Sequence, residues 1–508
     1  MTLSKWLSAL PLGIFLFAAC MQACGTTGRS DEQELTGEIA EGRDAAQKHC
    51  STCHLPVEPA LLDKETWKNR VLPAMAQYFG IEVWQKNQYF AAERAVMPIA
   101  EWMKIVAYYD SLAPAHLPAA RPPVPVRNDW AGFTVKTPAS DTSRLATTTM
   151  VAIDSADRAI YTSSSEMPAL VHWDKDFGKI IKGSLSSPAM HMLFSASRAP
   201  IVTVVGEMRA YDVAQGELGS LKPPGEYDPA PFVTGLRRPL HTSAADFNRD
   251  GKTDYVVSAF GHNQGGLYVL RQMQDGKFEK IPVREVAGAT QSITGDFNKD
   301  GRPDIIALFA HAQEGIWLFT NDRKGGFSEK PLLRFPPVQG SSSFQLADFN
   351  RDGLPDILYT AGDNSDYSRI LKPYHGIYIF LNKGDFQFEK NWFYPVNGAT
   401  KAMTADFDGD GDLDIASIAF FADLLHNPAE KFLYFRNESS KSGTDLKFQP
   451  FSPPVAQYGR WICMDVNDWD GDGDPDIVLG NYSKGFLNQE TVKADWNVYL
   501  PFVVLVSE

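Results

Sequence analysis

Cysteine is scarce: the 508 residues hold five, at positions 20, 24, 50, 53 and 463. So few, so scattered, exclude a disulfide framework. Basic residues are outnumbered, 48 Lys and Arg against 62 Asp and Glu, for a formal net charge of −14. Nucleic acid is therefore not expected as a partner, because a phosphate backbone needs a basic face. Apolar runs are short; residues 6–19 fall below the roughly 20 needed to span a membrane, which argues against a polytopic membrane protein. No dinucleotide or flavin fingerprint, nucleophile–base pair or tryptophan-docking quinoprotein repeat is present. What remains is an ordinary globular composition, 44% apolar and 22% charged.

The apolar run follows Lys5 and fits the core of a secretory signal. Leu16-Phe17-Ala18-Ala19-Cys20 resembles a bacterial lipobox, with Phe17 where that pattern prefers Leu; Cys24 after Ala23 is the alternative acceptor. The resemblance implies a signal peptide over residues 1–19, a diacylated Cys20 and export to the periplasmic or cell-surface side of a bacterial membrane. Attachment would be through the lipid anchor only. Residues 20–38 are polar and aperiodic, a flexible tether.

Cys50-Ser51-Thr52-Cys53-His54 is a C-x-x-C-H motif. Two thiols at this spacing can add to two vinyl groups on one porphyrin edge, and the adjacent imidazole then reaches the iron. A redox C-x-x-C or half a zinc site would use the same cysteines, but no second Cys pair lies nearby outside the export signal. Residues 39–115 resemble a small single-haem cytochrome c domain, which implies an all-α fold and one covalent haem c. In that resemblance Cys50 and Cys53 carry the thioethers and His54 is the proximal iron ligand. Residues 98–109 have apolar positions at helical spacing and match its final helix. Two methionines compete for the distal position. Met97 lies close to the final helix, whereas Met75 follows Trp67 and Val71 at helical spacing.

Residues 116–128 hold four prolines and read as a semi-rigid linker. Beyond it a nine-residue pattern recurs five times, with Asp first, Asp or Asn third, Asp fifth, Gly sixth and Asp ninth. The copies place these side chains at Asp246, Asn248, Asp250 and Asp254; Asp296, Asn298, Asp300 and Asp304; Asp348, Asn350, Asp352 and Asp356; Asp406, Asp408, Asp410 and Asp414; and Asp468, Asp470, Asp472 and Asp476. Oxygen ligands at this spacing suit calcium, which takes six to eight of them. Without a cation the crowded carboxylates would repel one another. Nearly a third of the acidic residues fall in these loops, so the net charge is largely an inventory of such ligands.

The pattern resembles the calcium loop of FG-GAP/VCBS repeats, the propeller type of integrin alpha chains, and implies about five Ca²⁺. Repeats of roughly 50 residues with about four short strands each are expected to be propeller blades. Residues 129–508 have room for seven, two of them without a calcium loop. The final repeat has three strands, and residues 132–136 are expected to supply its fourth and close the ring. The expected fold is therefore a small all-α domain followed by an all-β, seven-bladed propeller.

Loops joining second and third strands, opposite the acidic rim, carry His262, His311, His375 and His426. Residues five positions ahead of the first four acidic loops are His241, Gln291, Ser343 and Lys401, with Arg460 nearby in the last blade. These read either as solvated loop residues or as a ligand face around a central channel. Three functions compete. One is an anchored electron-transfer cytochrome whose partner is a redox protein or a small-molecule reductant. Another is an oxidoreductase whose propeller binds the substrate and passes electrons to haem. The third is an adhesion or glycan-binding module, which leaves the C-x-x-C-H motif without a use.

Overall fold

The computed structural model describes residues 35–85, 87–195, 198–223, 225–364, 369–440, 443–485 and 492–508. The signal segment, Cys20 and nearly all of the tether lie outside them.

The N-terminal unit is built on two helices, Gly37–Cys50 and Ile99–Leu112, packed against each other. In the second, Trp102, Ile105, Tyr108 and Tyr109 recur on one face and are buried, as helical periodicity predicts. At the crossing a β-carbon on Gly42 would lie 2.1 Å from the Lys104 carbonyl oxygen, so glycine permits this approach. The first helix begins inside the segment read as tether, and Leu35 already packs against the unit's core. Short helical turns follow the C-x-x-C-H motif. A hairpin then pairs Ile81–Trp84 with Gln88–Ala91, Ile81 opposite Ala91. This hairpin departs from an all-α expectation; its alternation turns Ile81 and Tyr89 inward.

The proline-rich linker is laid along the propeller's outer wall. The Val124 carbonyl accepts from the Tyr394 hydroxyl at 2.9 Å, and the Pro125 carbonyl from the Gln449 side chain at 3.2 Å.

Seven antiparallel sheets form a β-propeller. Their innermost strands, blades one to seven, are Thr148–Asp154, Ala189–Ser195, Pro239–Ala245, Ala289–Gly295, Ser341–Ala347, Ala399–Ala405 and Trp461–Asn467. Second strands such as Asp304–Phe309 are buried at every residue, because adjacent blades cover both faces. Outermost strands such as Lys179–Ser184 are largely exposed. The ring closes as expected: Phe133–Lys136 pairs antiparallel with Phe502–Ser507, Phe133 opposite Ser507, as the fourth strand of blade seven. Closure leaves no long free sheet edge between first and last blade.

The helical unit docks on blade five. Val338, just ahead of the innermost strand, and Ile370, between the second and third strands, share its apolar core with Trp67, Leu72 and Met97.

Candidate functional site

Three groups of side chains carry chemistry. In the helical unit, Cys50 ends the first helix, Cys53 is exposed and His54 is half-buried. The His54 Nδ1 lies 2.8 Å from the Leu55 carbonyl. A carbonyl only accepts, so Nδ1 is the donor of this bond, as the second ring nitrogen of a metal-ligating histidine commonly is. Burial, with Cys53 beside it, pushes the Cys50 thiol up to about 11. The chain after the motif is held by two buried aromatics: Trp67 Nε1 donates to the Pro59 carbonyl at 2.9 Å and the Tyr109 hydroxyl to the Val57 carbonyl at 3.0 Å. Their rings lie 4.1 Å apart. Met97 is buried and Met75 half-buried in this same apolar cluster. The Trp102 indole N–H is fully buried without an acceptor among the described residues.

The five acidic loops join first to second strands in blades three to seven and share one rim. The Asp246 carboxylate accepts the backbone N–H of Asp250 and Gly251, at 3.1 and 2.9 Å, and Asp296 and Asp348 repeat this. The sixth-position glycines, Gly251 to Gly473, have φ between 81° and 101°, where a side chain would strain the backbone. The carboxylates of Asp406, Asp408 and Asp410 converge within 4.8 Å, as do those of Asp468, Asp470 and Asp476. Position nine opens the second strand and is buried: Asp254, Asp304, Asp356, Asp414 and Asp476. Each also fastens its blade. Asp414, for example, accepts from the Asn437 backbone and the Tyr434 hydroxyl, both at 2.7 Å. Burial pushes the carboxyls of Asp356 and Asp476 up to about 6 and that of Asp414 to about 7. Such sites disfavour an uncompensated negative charge.

The histidine-bearing face separates into unlike groups. His375 is buried with neither ring nitrogen partnered, beside Tyr374, whose hydroxyl lies 2.9 Å from the Leu61 carbonyl of the helical unit. Arg460 is buried as well. Its guanidinium donates to the Phe420 and Gly485 carbonyls and lies 3.7 Å from the Phe420 ring centroid. His375 and Arg460 are therefore interior residues and do not form a solvated face. His426 bonds Asp423 at 3.0 Å. His262 and His311 stack at 6.1 Å on the face opposite the acidic rim.

His241 and Lys401 belong to a different set, the third residues of the innermost strands: Met150, His191, His241, Gln291, Ser343, Lys401 and Cys463. In each blade from three to seven a bulge sits just ahead of this residue. The His191 and His241 rings lie 4.1 Å apart, and the Lys401 ammonium donates to the Met464 carbonyl at 2.8 Å. Asp465 follows, half-buried, accepting the Ile153 N–H at 2.8 Å. The repeat pattern singles out neither His191 nor Asp465. Blade two has no acidic loop from which to count back to His191, although its place at the third strand position would have found it.

Residues 246–307, 296–359 and 365–417 match the family model described as FG-GAP-like repeat. Over these segments the chain is similar to FG-GAP-like repeats. Cartilage acidic protein 1 of Homo sapiens is 31% identical over 147 residues, 28% of this chain and 21% of that protein. Its Mus musculus counterpart is 28% identical over 169 residues, 32% of this chain and 25% of that protein. Integrin alpha-PS3 of Drosophila melanogaster is 32% identical over 114 residues, 20% of this chain and 10% of that protein. The chain thus spans a quarter or less of the length of these relatives. The FG-GAP-like match covers four of the five acidic loops; residues 468–476 extend the series by their own pattern.

Proposed function

We propose that this is an exported, lipid-anchored c-type cytochrome that transfers single electrons, with a calcium-stabilised propeller that docks its redox partner or a small-molecule reductant. The observation that carries it is the C-x-x-C-H motif at the end of the first helix, with the Nδ1 of His54 bonded to the Leu55 carbonyl. Cys50 and Cys53 would hold haem c as thioethers, His54 would bind the iron, and Met75 or Met97 would complete its coordination. When bound, haem supplies a one-electron carrier, and a sulfur ligand would raise its potential. The chain's own part is to exclude water through Trp67, Leu72 and Tyr109 and to orient His54. The fully buried Trp102 N–H, lacking an acceptor among the described residues, supports a polar group of the cofactor nearby.

Carboxylates converge in the loops at residues 406–410 and 468–476, and all five loops share the spacing of oxygen side chains that suits Ca²⁺, which we assign to each of them. Production with a haem-attachment system tests the first assignment: one covalent haem per chain is expected, and none after Cys50→Ser with Cys53→Ser. Wild-type protein without covalent haem would end this reading.

A second reading, an oxidoreductase that reduces its own haem with a propeller-bound substrate, has one observation in its favour. The third-position residues lie toward the propeller face that carries Val338, Ile370 and Tyr374, where the helical unit docks. Haem reduction by a substrate with no added protein would decide for it.

A further inference from the structure

We propose that the cation site of blade seven is the clasp of the propeller: Ca²⁺ held by the loop Asp468–Asp476 and closure of the ring by Phe133–Lys136 stabilise each other. This rests on the calcium assignment of the proposed function and does not depend on haem.

The closing strand has few ladder bonds of its own. It is four residues long, against seven or eight for the fourth strands of blades three to five, and it pairs on one side only, with Phe502–Ser507. Further contacts from the start of the propeller gather on the acidic loop of blade seven. Lys136, the last residue of the closing strand, places its ammonium 3.5 Å from the Asp470 carboxylate and 5.2 Å from the Trp469 ring centroid. Phe177 of blade one stacks on the Trp469 ring at 5.5 Å. The Arg158 guanidinium, also of blade one, donates to the Gly471 carbonyl at 3.5 Å. Asp476 accepts the Ser507 N–H at 3.3 Å and so fixes the strand against which the closing strand pairs.

A cation would act at this meeting point. Carboxylate oxygens of Asp468, Asp470 and Asp476 lie within 4.8 Å of one another, and Asp470 Oδ1 is buried without a hydrogen-bond partner among the described residues. A carboxylate oxygen so placed needs a compensating charge. Position three is Asp in blades six and seven and Asn in blades three to five, and an added carboxylate ligand tightens calcium binding. Empty, the loop crowds Asp468, Asp470, Asp472, Asp474 and Asp476 into nine residues, and their repulsion loosens the contacts of Lys136, Arg158 and Phe177. One Ca²⁺ relieves that repulsion yet leaves the loop negative, so Lys136 stays attracted. Cation binding therefore tightens closure, and by linkage closure tightens cation binding to the same degree.

Trp469 supplies a readout. It is second in its loop, where the other four carry Phe247, Phe297, Phe349 and Phe407, so terbium luminescence excited through tryptophan follows the blade seven site. Asp472→Asn and Asp250→Asn remove the same position-five charge from blades seven and three. In the full chain, Asp472→Asn should shift the terbium titration to weaker binding by about tenfold or more, and Asp250→Asn should leave it unchanged. Hydrogen exchange tests the link to closure. On chelation of wild-type protein, exchange over 133–136 and 502–507 should quicken by about tenfold or more relative to Pro239–Ala245 of blade three. Asp472→Asn should do the same at calcium levels that protect wild type, and Asp250→Asn should not. If the variant folds poorly, the wild-type comparison decides alone. A wild-type chain that binds terbium at Trp469 but whose closing strand stays protected on chelation, or opens no faster than blade three, would overturn the proposal and leave the calcium assignment standing. Absence of cation binding would overturn both, so the two failures are distinct.

Discussion

Tyr374 of blade five and Leu61 of the helical unit are joined by a hydrogen bond from the phenol to the backbone carbonyl, 2.9 Å long. Leu61 closes the short turn that follows the C-x-x-C-H motif. The propeller therefore touches the segment that follows Cys50 and Cys53, and the two units are coupled next to the place where chemistry is proposed.

Tyr374→Phe keeps the ring and removes this bond. We expect a loss of about 0.5–1.5 kcal/mol, confined to the docking. Hydrogen exchange should quicken over residues 58–62 while the strands of blade five stay protected. Unchanged exchange would mean that Val338 and Ile370 hold the units together without Tyr374.

Gly42→Ala separates two opposed effects. In an exposed helix this change stabilises by about 1 kcal/mol. Here the new β-carbon would meet the Lys104 carbonyl oxygen at 2.1 Å, so the helices must part, at about 1–3 kcal/mol. Thermal unfolding of the helical unit should therefore fall to lower temperature. A rise would show that the crossing is looser than its geometry.

Calcium removal should destabilise the propeller. A site filled at 100 times its Kd adds about 2.7 kcal/mol, so chelation should lower the melting temperature and re-addition restore it. Asp414→Ala should cost more than one site's calcium, because the Asn437 N–H and Tyr434 hydroxyl lose their acceptor. An unchanged melting temperature under chelation would refute the calcium assignment.

His375 predicts acid sensitivity. Burial, and then Lys372, hold its pKa well below the usual value, so below about pH 6.5 the unfolded chain takes a proton that the folded chain refuses. Stability from this group is present above about pH 6.5 and lost as pH falls, by about 1.4 kcal/mol per unit. His375→Gln should flatten that slope in denaturant titrations between about pH 6.5 and pH 5. An identical slope would place the acid sensitivity elsewhere.

The parts legible in the sequence are those with a fixed period. The acidic loops repeat every 50–62 residues, and each repeat brings the same strands with it, so Phe133–Lys136 can be recognised as the strand blade seven lacks. His191 is hidden because blade two carries no acidic loop to count from. The burial of His375 and Arg460 is hidden for another reason. Both depend on the long connections between second and third strands, whose paths follow from packing against other blades and not from any local pattern. Docking of the helical unit likewise rests on Val338 and Ile370, apolar residues of a kind found throughout a propeller.

The strand that completes blade seven joins residues separated by nearly the whole propeller sequence. Such a contact is slow to form, since its loop-closure entropy is lost before any pairing rewards it. A chain still lacking Phe502–Ser507 cannot close the ring, and presents the unpaired edges of Asp476–Asn481 and Phe133–Lys136 instead. The helical unit has no such requirement: both of its helices and the cysteine pair are complete by Leu112. During synthesis, then, the two helices of the first unit can pair while the ring is open, and closure reports that the last blade has been made.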